Sequence, residues 1–335
     1  MTSHFIYGLS LQSNLALPGV PPCPDGPASH VEVVCGRLPE SVESEQESEE
    51  IYPRPRKAGS PFDHALLARR LVRSGDFWLS YADGTQFVLD GSGGRVWMSW
   101  PDALTLEDAA TYLLGPVLGF LLRLRGLLCL HASVVSVDGF GIALAGPPGA
   151  GKSTLAAAFA EAGFPVLSDD VAPIMSGGGS DSDALMVQPG YPRLRLWPDS
   201  LRALYGATES FARITPTWDK RHVELGQGSR QFVDRPSPLA AIYMLDNAPG
   251  NGPAIEETGP RDALIALVAN TTANYLLSAR QRAVEFGQLD HVARAVPVRR
   301  VRPPADVRRA PELCAAVTRD FRQQVMTPRP PPPAR

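Results

Sequence analysis

A glycine-rich loop, GPPGAGKS, covers Gly146 to Ser153 and limits the folds that this sequence can adopt. A compact apolar run, GIALA, precedes it, and an alanine-rich stretch, STLAAAFAEAG, follows it and ends on the helix-stopping Gly163. This order of strand, loop and helix matches the pattern G-x-x-x-x-G-K-[ST], whose glycines let backbone N–H groups converge on phosphate at a helix N-terminus. The motif alone occurs by chance, but in this context we interpret it as a phosphate-binding loop.

The loop pattern assigns candidate roles to its residues. Lys152 can reach the β- and γ-phosphates of a nucleoside triphosphate, and the Ser153 hydroxyl can ligate Mg²⁺. We therefore expect ATP and Mg²⁺ as cofactors. The residues predicted to contact the nucleotide are Gly146, Pro147, Pro148, Gly149, Ala150, Gly151, Lys152, Ser153 and Thr154.

Two neighbouring carboxylates, Asp169 and Asp170, follow the next apolar run, FPVLS. A crossover through the helix predicts that this run is a strand beside GIALA and parallel to it. Parallel neighbours end at the same edge of a sheet, where ligands bind in α/β folds, so both side chains should emerge next to the loop. A loop start or a helix cap is the commoner use of such a pair, but the position beside a phosphate site favours a functional one.

A hairpin signal upstream brings a histidine to the same place. The dipeptide Asp-Gly at 138–139 separates the runs LHASVVSV and FGIALA, as in a two-residue β-hairpin. If Val137 pairs with Phe140, the numbers of paired residues sum to 277, and His131 then lies opposite Gly146. We treat His131 as a candidate catalytic residue, with a purely structural histidine as the alternative.

Basic residues further along the chain are candidate contacts for phosphate or substrate. Arg193 and Arg195 share one face of a short strand, for which the alternative is a solvated strand face. Lys220 is one of only three lysines among 32 basic residues. Together with Arg221 it suits a segment that closes over a transferring phosphoryl group. A charged surface turn explains this last pair equally well.

Changes in composition divide the chain. Residues 1–100 predict a smaller β-rich N-terminal module with an exposed acidic and Pro-rich loop at 42–61. Residues 101–325 alternate strand-like and helical patterns, as an α/β domain does, and begin with a helix that Thr105 caps. The Pro-rich end, 326–335, is predicted to be a disordered tail.

Composition also argues against several classes of partner. With 32 basic and 35 acidic residues the net charge is −3, so the chain lacks the positive excess that binding to nucleic acid requires. The most apolar run, Tyr112 to Leu130, is interrupted by Arg123 and Arg125 and indicates a buried helix leading into a core strand, with no membrane partner. The cysteine spacing and the lack of a signal peptide predict a cytoplasmic protein with reduced thiols. Homo-oligomerisation is left open.

Taken together, these residues resemble the core of the HPr kinase/phosphorylase family. The similarity covers Leu130 to Ile174, from LHASVV through the phosphate loop to LSDDVAPI. The segments PGYPRLRLWPDS, DKRHVEL and PLAAIYMLD extend it towards the divergent HPr-kinase-like proteins of lasso-peptide gene clusters. The resemblance implies a P-loop kinase domain of HPr-kinase type, a mixed sheet flanked by helices. It also implies transfer of the γ-phosphoryl group of ATP to a serine-type hydroxyl of a peptide or protein.

Carried over residue by residue, the resemblance makes Asp169 the catalytic base, with His131 in support and Lys152 at the phosphates. Asp170 and Ser153 then belong to the Mg²⁺ shell. The segment E-[IV]-R-G-[LI]-G of HPr kinases has no counterpart, because YPRLRLW stands in its place with Arg195 matching the arginine.

This departure argues against HPr as the substrate and against a reverse phosphorylase reaction. In the lasso-peptide branch the implied acceptor is the C-terminal residue of a precursor peptide. A small-molecule kinase and a nucleotide-sensing regulator without transfer activity are the alternatives.

Overall fold

The computed structural model describes residues 1–24, 31–40, 42, 47–52, 66–176, 184–248 and 250–326. Within these residues the fold is mixed α/β, as the sequence predicts. Most of the predicted loop at 42–61 and nearly all of the predicted tail at 326–335 lie outside the described residues. Inside the loop range, Ser48–Tyr52 form a strand instead, and its two glutamates stand opposite two arginines of the neighbouring strand, which stabilises the pairing.

The strands and α-helices have the following bounds. The strands are β1 (Thr2–Ile6), β2 (Leu9–Ser13), β3 (Val31–Cys35), β4 (Ser48–Tyr52), β5 (Leu67–Leu71), β6 (Phe77–Ser80), β7 (Gln86–Leu89), β8 (Arg95–Ser99), β9 (Leu128–Leu130), β10 (Ala132–Val137), β11 (Phe140–Ala145), β12 (Val166–Ser168), β13 (Ala172–Ser176), β14 (Leu185–Val187), β15 (Arg193–Leu196), β16 (Arg213–Thr215), β17 (Trp218–Glu224), β18 (Ser237–Leu245), β19 (Ala254–Glu257) and β20 (Val298–Arg302). The α-helices are α1 (Leu106–Tyr112), α2 (Leu118–Leu124), α3 (Lys152–Glu161), α4 (Pro198–Tyr205), α5 (Pro260–Ala269), α6 (Ala279–Ala295) and α7 (Ala310–Asp320).

The first compact unit comprises Met1–Cys129, Arg213–Asp219 and Thr271–Phe286. Its sheet has the strand order β1-β2-β3-β8-β7-β6-β5-β4. Strand β3 runs parallel to both of its neighbours, β2 and β8, whereas the remaining neighbours are antiparallel. All of these strands lie within residues 1–100, the part of the sequence with strand-like alternation.

The helices that follow this sheet belong to the same unit, whose first segment ends at Cys129. The reason is packing, since the Phe120 ring on α2 meets the Phe77 ring on β6 edge-on, with centroids 5.2 Å apart. Helix α1 begins at the predicted cap, where the Thr105 side chain and the Asp108 carboxylate form a capping box. No helix among the described residues is both long and apolar enough to cross a membrane.

The second compact unit comprises the described residues of Leu130–Ala212, Lys220–Asn270 and Gly287–Arg335. Its sheet contains the consecutive strands β12-β10-β11-β18. Strand β10 is antiparallel to both β12 and β11, whereas β18 is parallel to β11 and to β20. Helix α3 packs on this sheet and against α7, and its apolar residues form the core with the side chains of both.

Candidate active site

The glycine-rich loop connects β11 to α3, as the sequence predicts, and its backbone requires glycine. Gly146, Gly149 and Gly151 have φ values of 145°, 85° and 91°, which L side chains rarely adopt. A Cβ at Gly146 would also lie 2.5 Å from the carbonyl oxygen of Leu245 at the end of β18. The turn therefore requires glycine at all three positions. At Gly146 the close approach of the ends of β11 and β18 is a second reason.

Lys152 is buried at the start of α3, and its side chain turns back onto the loop. Its Nζ donates hydrogen bonds to the carbonyl oxygens of Gly146 (2.7 Å) and Pro147 (3.2 Å). Burial lowers the pKa of Lys152 to about 8, although the carboxylates of Asp170 and Asp169 act in the opposite direction. The ammonium group therefore lies within the loop, where a phosphate group would meet it.

Among the remaining loop residues, some shape the turn with their backbone and one makes a side-chain contact. Pro147, Pro148 and Ala150 form the turn between the glycines, and the only N–H among them belongs to Ala150, since proline has none. The hydroxyl of Thr154 lies 2.7 Å from that of Ser200 on α4, so Thr154 ties two helices together.

Three chain segments meet at one edge of the sheet because their strands are in register. The residue pairs between β10 and β11 run from Val137–Phe140 to Ala132–Ala145, which confirms the predicted register. If this register is continued by one residue, His131 lies level with Gly146. Strand β12 ends at Ser168, at the same edge.

The predicted pairing of the second strand was wrong in one respect. The strand that precedes the aspartates, β12, is not beside β11, because β10 lies between them. Two antiparallel steps restore the original direction, so β11 and β12 still run the same way and end at the same edge. Strand β10 therefore pairs with β11 on one side and with β12 on the other.

Asp169 is a buried carboxylate held by three donors. Its Oδ1 accepts hydrogen bonds from the hydroxyls of Ser133 (2.6 Å) and Ser153 (2.8 Å), and its Oδ2 accepts one from the backbone N–H of Arg195 (3.1 Å). Burial raises the pKa of Asp169, and the charge of neighbouring Asp170 adds to the effect. Ser153 therefore contacts Asp169, whereas the sequence paired its hydroxyl with Asp170.

Ser133 was not singled out from the sequence, although a signal was available. It is the second residue of the hairpin strand β10, two positions after His131, and side chains two apart along an extended chain point to the same face.

Asp170 occupies a strained backbone position. Its φ is 67°, and the N–H of Val171 donates to the carbonyl oxygen of Asp169 at 2.9 Å, which closes a three-residue turn around it. Non-glycine residues rarely hold this conformation, and strain of this kind is concentrated at functional sites.

The Asp170 side chain is 23% exposed and faces positive charge, with Nη1 of Arg195 at 3.6 Å from its Oδ2. Burial alone would raise the pKa of Asp170, but the charges of Lys220 and Arg195 outweigh burial and hold it well below its usual range. The two adjacent carboxylates therefore have opposite surroundings, since hydroxyls and a backbone N–H surround Asp169 and cations surround Asp170.

His131 supports this turn through the main chain. Its Nδ1 lies 3.0 Å from the carbonyl oxygen of Asp170, to which it donates, so Nε2 is the acceptor nitrogen of the neutral ring. Burial, followed by the charge of Lys152, lowers the pKa of His131. The neutral imidazole therefore fixes the backbone of Asp170, whereas the sequence placed it in support of Asp169.

Two of the four predicted basic contacts reach this edge. Besides its contacts with the aspartates, the Arg195 guanidinium lies over the ring of Tyr191, 5.7 Å from the centroid. The Lys220 ammonium lies 5.6 Å from the centroid of the Trp197 ring, and its charge acts on both aspartates. Sequence reasoning missed Tyr191 and Trp197, which stand in the same segment as Arg195.

The other two basic residues have structural partners elsewhere. Arg193 forms an ion pair with Glu224, its cross-strand neighbour, at 2.7 Å. Arg221 donates to the carbonyl oxygen of Phe211 at 3.0 Å. The alternative interpretation of a charged strand face suits Arg193, whereas the predicted surface turn is wrong for Arg221, which lies within strand β17 opposite Leu196.

The donor set at this edge fits Mg²⁺ bound together with phosphate. Nucleotide-bound Mg²⁺ takes most of its ligands from phosphate and water and only one or two from the protein. The Ser153 hydroxyl and the Asp169 carboxylate are already 2.8 Å apart. Among the described residues no cluster of three or more His, Cys, Asp or Glu side chains could enclose a metal by itself.

Comparisons with known proteins add little to this geometry. No family model and no curated protein matches the sequence. Among solved structures, the Hpr(Ser) kinase/phosphatase from Coxiella burnetii is similar over 59% of this chain and 99% of that chain, with 14% sequence identity and a TM-score of 0.33. A similarity at this level does not assign a function to this chain.

Proposed function

We propose that this protein is an ATP- and Mg²⁺-dependent kinase that transfers the γ-phosphoryl group to a serine-type hydroxyl of a peptide or protein. The observation that carries the proposal is the contact between Ser153, the last residue of the loop motif, and the buried carboxylate of Asp169, 2.8 Å away. In phosphate-binding loops of this type a serine or threonine hydroxyl and a strand-end aspartate hold Mg²⁺ between them. A glycine turn with a purely structural role has no need of this pairing.

The family resemblance made Asp169 the catalytic base and Asp170 part of the Mg²⁺ shell. The contacts of the two aspartates favour the opposite assignment. We assign Asp169, with Ser153, to the Mg²⁺ shell, because it is buried against the loop. We assign Asp170 to the acceptor, because its side chain is partly exposed and its turn is held by His131. The acceptor oxygen attacks the γ-phosphorus, the bond from the γ-phosphorus to the bridging oxygen breaks, ADP leaves, and the hydroxyl proton passes to the Asp170 carboxylate.

Cations near the reacting groups are expected to lower the barrier mainly by neutralising charge. Lys152 would follow the phosphates, and Lys220 and Arg195 would face the transferring group and hold Asp170 ionised. Because a carboxylate of low proton affinity is a weak general base, the part of Asp170 in this proposal is mainly to orient the hydroxyl, whose proton it accepts only late in the transfer.

The acceptor is proposed on the sequence resemblance alone. It points to a hydroxyl of a peptide or protein, with the C-terminal residue of a lasso precursor peptide as the first candidate. Phosphate transfer from γ-labelled ATP to a serine-ended peptide, measured beside a panel of hydroxylated metabolites, separates a peptide kinase from a small-molecule kinase. Tight ATP binding with no labelled product on any acceptor would contradict the kinase proposal and favour a nucleotide-sensing regulator.

The roles of the two aspartates are tested by Asp169→Asn and Asp170→Asn. We expect Asp170→Asn to bind ATP with and without Mg²⁺ as the unaltered protein does, and to lose transfer by roughly 10²–10⁴-fold. Asp169→Asn should lose the gain in ATP affinity that Mg²⁺ provides. The matched control is Asp138→Asn, because Asp138 also has a positive φ but lies in an exposed turn and pairs with Arg322. The reverse result, with the Mg²⁺ effect lost in Asp170→Asn, would restore the order that the sequence suggested.

A further inference from the structure

The buried hydroxyl of Ser133 has no part in the proposed transfer step. The residue is 1% exposed and lies in β10, where its neighbours Ala132 and Val134 are apolar and fully buried. Its Oγ donates a hydrogen bond to Oδ1 of Asp169 at 2.6 Å. A buried hydroxyl needs such a partner, since a polar group without one destabilises the fold. The contact satisfies Ser133, and it also acts on the carboxylate that accepts the bond.

Strand pairing places Ser133 beside Asp169. Val134 of β10 stands opposite Ser168, the last residue of β12, in an antiparallel pair. Continued by one residue, this pairing sets Ser133 opposite Asp169, and side chains directly opposite each other on two strands are neighbours on one face. The backbone therefore brings the hydroxyl to the carboxylate, and the contact does not depend on a long or flexible side chain.

The three donors to Asp169 come from different parts of the site. Ser133 and Ser153 both donate to Oδ1, and the backbone N–H of Arg195 donates to Oδ2. Ser153 is the residue that we assign to Mg²⁺ together with Asp169. Without Ser133, the hydrogen bonds of the described residues would leave Oδ1 held only by the hydroxyl that has to ligate the metal.

An aspartate carboxylate needs such support because the backbone does not determine the orientation of its plane. Rotation about the bond from Cβ to the carboxyl carbon has broad, roughly two-fold minima. Hydrogen bonds to both oxygens, from Ser133 at Oδ1 and from the N–H of Arg195 at Oδ2, fix the plane. Partners of this kind orient metal ligands, and their loss typically lowers metal affinity or activity by roughly 10- to 100-fold.

We propose that Ser133 is a positioning residue for Mg²⁺, whose hydroxyl holds Oδ1 of Asp169 independently of Ser153. The proposal rests on the proposed function, since it takes Asp169 and Ser153 as the protein's part of the Mg²⁺ shell. It also gives one strand end two related tasks. Ser133 holds the side chain of Asp169, and His131, two residues earlier, holds the main chain of Asp170.

The test measures ATP affinity by calorimetry with and without Mg²⁺. Without Mg²⁺, Ser133→Ala should bind ATP within about twofold of the unaltered protein. The gain in affinity that Mg²⁺ provides should be smaller in this variant by roughly tenfold or more. A loss confined to the Mg²⁺ effect is not expected from a serine that only stabilises the fold.

A matched pair of variants separates the hydroxyl from packing. Threonine and valine have nearly the same shape, but only threonine has a hydroxyl. Ser133→Thr should therefore keep most of the Mg²⁺ effect, and Ser133→Val should lose it as Ser133→Ala does. The control is Ser136→Ala, which removes a buried hydroxyl from the opposite face of the same strand and should change neither affinity.

Other outcomes would overturn the positioning role in distinguishable ways. If Ser133→Ala keeps the full Mg²⁺ effect while Asp169→Asn loses it, Ser133 does not position the carboxylate and the proposed function still stands. The same conclusion follows if Ser133→Ala lowers ATP affinity equally with and without Mg²⁺, or if Ser133→Thr and Ser133→Val behave alike. If Mg²⁺ does not raise the ATP affinity of the unaltered protein, the proposed function and this inference fail together.

Discussion

The two units of the molecule bury charged side chains in different ways. In the first unit, Arg123 and Glu285 are 3% and 7% exposed and form an ion pair at 2.5 Å, so opposite charges compensate each other. In the second unit, two adjacent carboxylates, Asp169 and Asp170, meet at a sheet edge, and one of them requires a strained backbone. Like charges brought together do not stabilise a fold.

This difference separates a structural use of buried charge from a functional one. The ion pair of the first unit is matched one to one, and no further ligand is needed to neutralise it. At the edge of the second unit, hydroxyls, a neutral imidazole and cations are arranged so that Asp170 stays ionised although it lies beside Asp169. Perturbed carboxylates in such a setting are candidates for chemistry.

The greatest loss of stability is expected from removing one partner of the buried ion pair in the first unit. Arg123→Ala leaves the Glu285 carboxylate buried without its partner, so we expect the free energy of unfolding to fall by about 3–5 kcal/mol. Denaturant titration measures the change. The double variant Arg123→Met with Glu285→Leu should recover most of the loss, because both charges are then removed. A single variant as stable as the unaltered protein would show that the pair is not structural.

Smaller changes in the free energy of unfolding are expected at the sheet edge of the second unit, and they should have opposite signs for the two aspartates. The charge of Asp170 is favourable in the folded state, so Asp170→Asn should lower the free energy of unfolding by on the order of 1 kcal/mol. The charge of Asp169 is unfavourable there, so Asp169→Asn should leave the stability unchanged or raise it. Thermal melts at pH 7 measure both. Losses of equal size in the two variants would contradict the view that the neighbours have opposite surroundings.

The smallest effect is a pH dependence in the first unit, at His4. Its Nδ1 lies 3.1 Å from the carbonyl oxygen of Val20, and its Nε2 accepts the N–H of Leu17, so the buried ring is neutral. Burial lowers the pKa of His4 below the value of 6.5 that applies when the chain is unfolded. The unfolded state therefore binds the proton first, and stability present above pH 6.5 is lost as the pH falls below it.

His4→Gln tests this pH dependence, because an amide can keep one donor and one acceptor without titrating. Denaturant midpoints should fall less between pH 7 and pH 5 in the variant than in the unaltered protein. If the two proteins lose stability in parallel over this range, His4 does not cause the dependence.

Much of the candidate site could be predicted because it depends on short stretches of chain. The positive φ values of Gly149 and Gly151 follow from the loop pattern, and an Asp-Gly turn determined the register that brings His131 level with Gly146. These features are local, since a two-residue turn leaves one pairing for the strands that it joins. Ser133 could have been found in the same way, from its place in that hairpin.

Partners distant in sequence could not be predicted. Nothing local to Arg193 shows that Glu224 neutralises it while Arg195, two residues later, lies beside Asp170. Strand β10 could not be placed between β11 and β12 either, because a crossover specifies direction but not which strand is adjacent.

The glycine-rich loop, the hairpin register and the two carboxylates at a strand end could be derived from the sequence, because each depends on backbone geometry within a few residues. In contrast, the contacts of Asp169 with Ser153 and of Asp170 with Arg195 and Lys220 become visible only in the folded chain. The side chains of Asp169 and Asp170 are adjacent in the chain but have different surroundings. One reason is the backbone turn at Asp170, and the other is that the strands around them come together only on folding. Those surroundings determine the proton affinity of each carboxylate, and with it the chemistry each can perform.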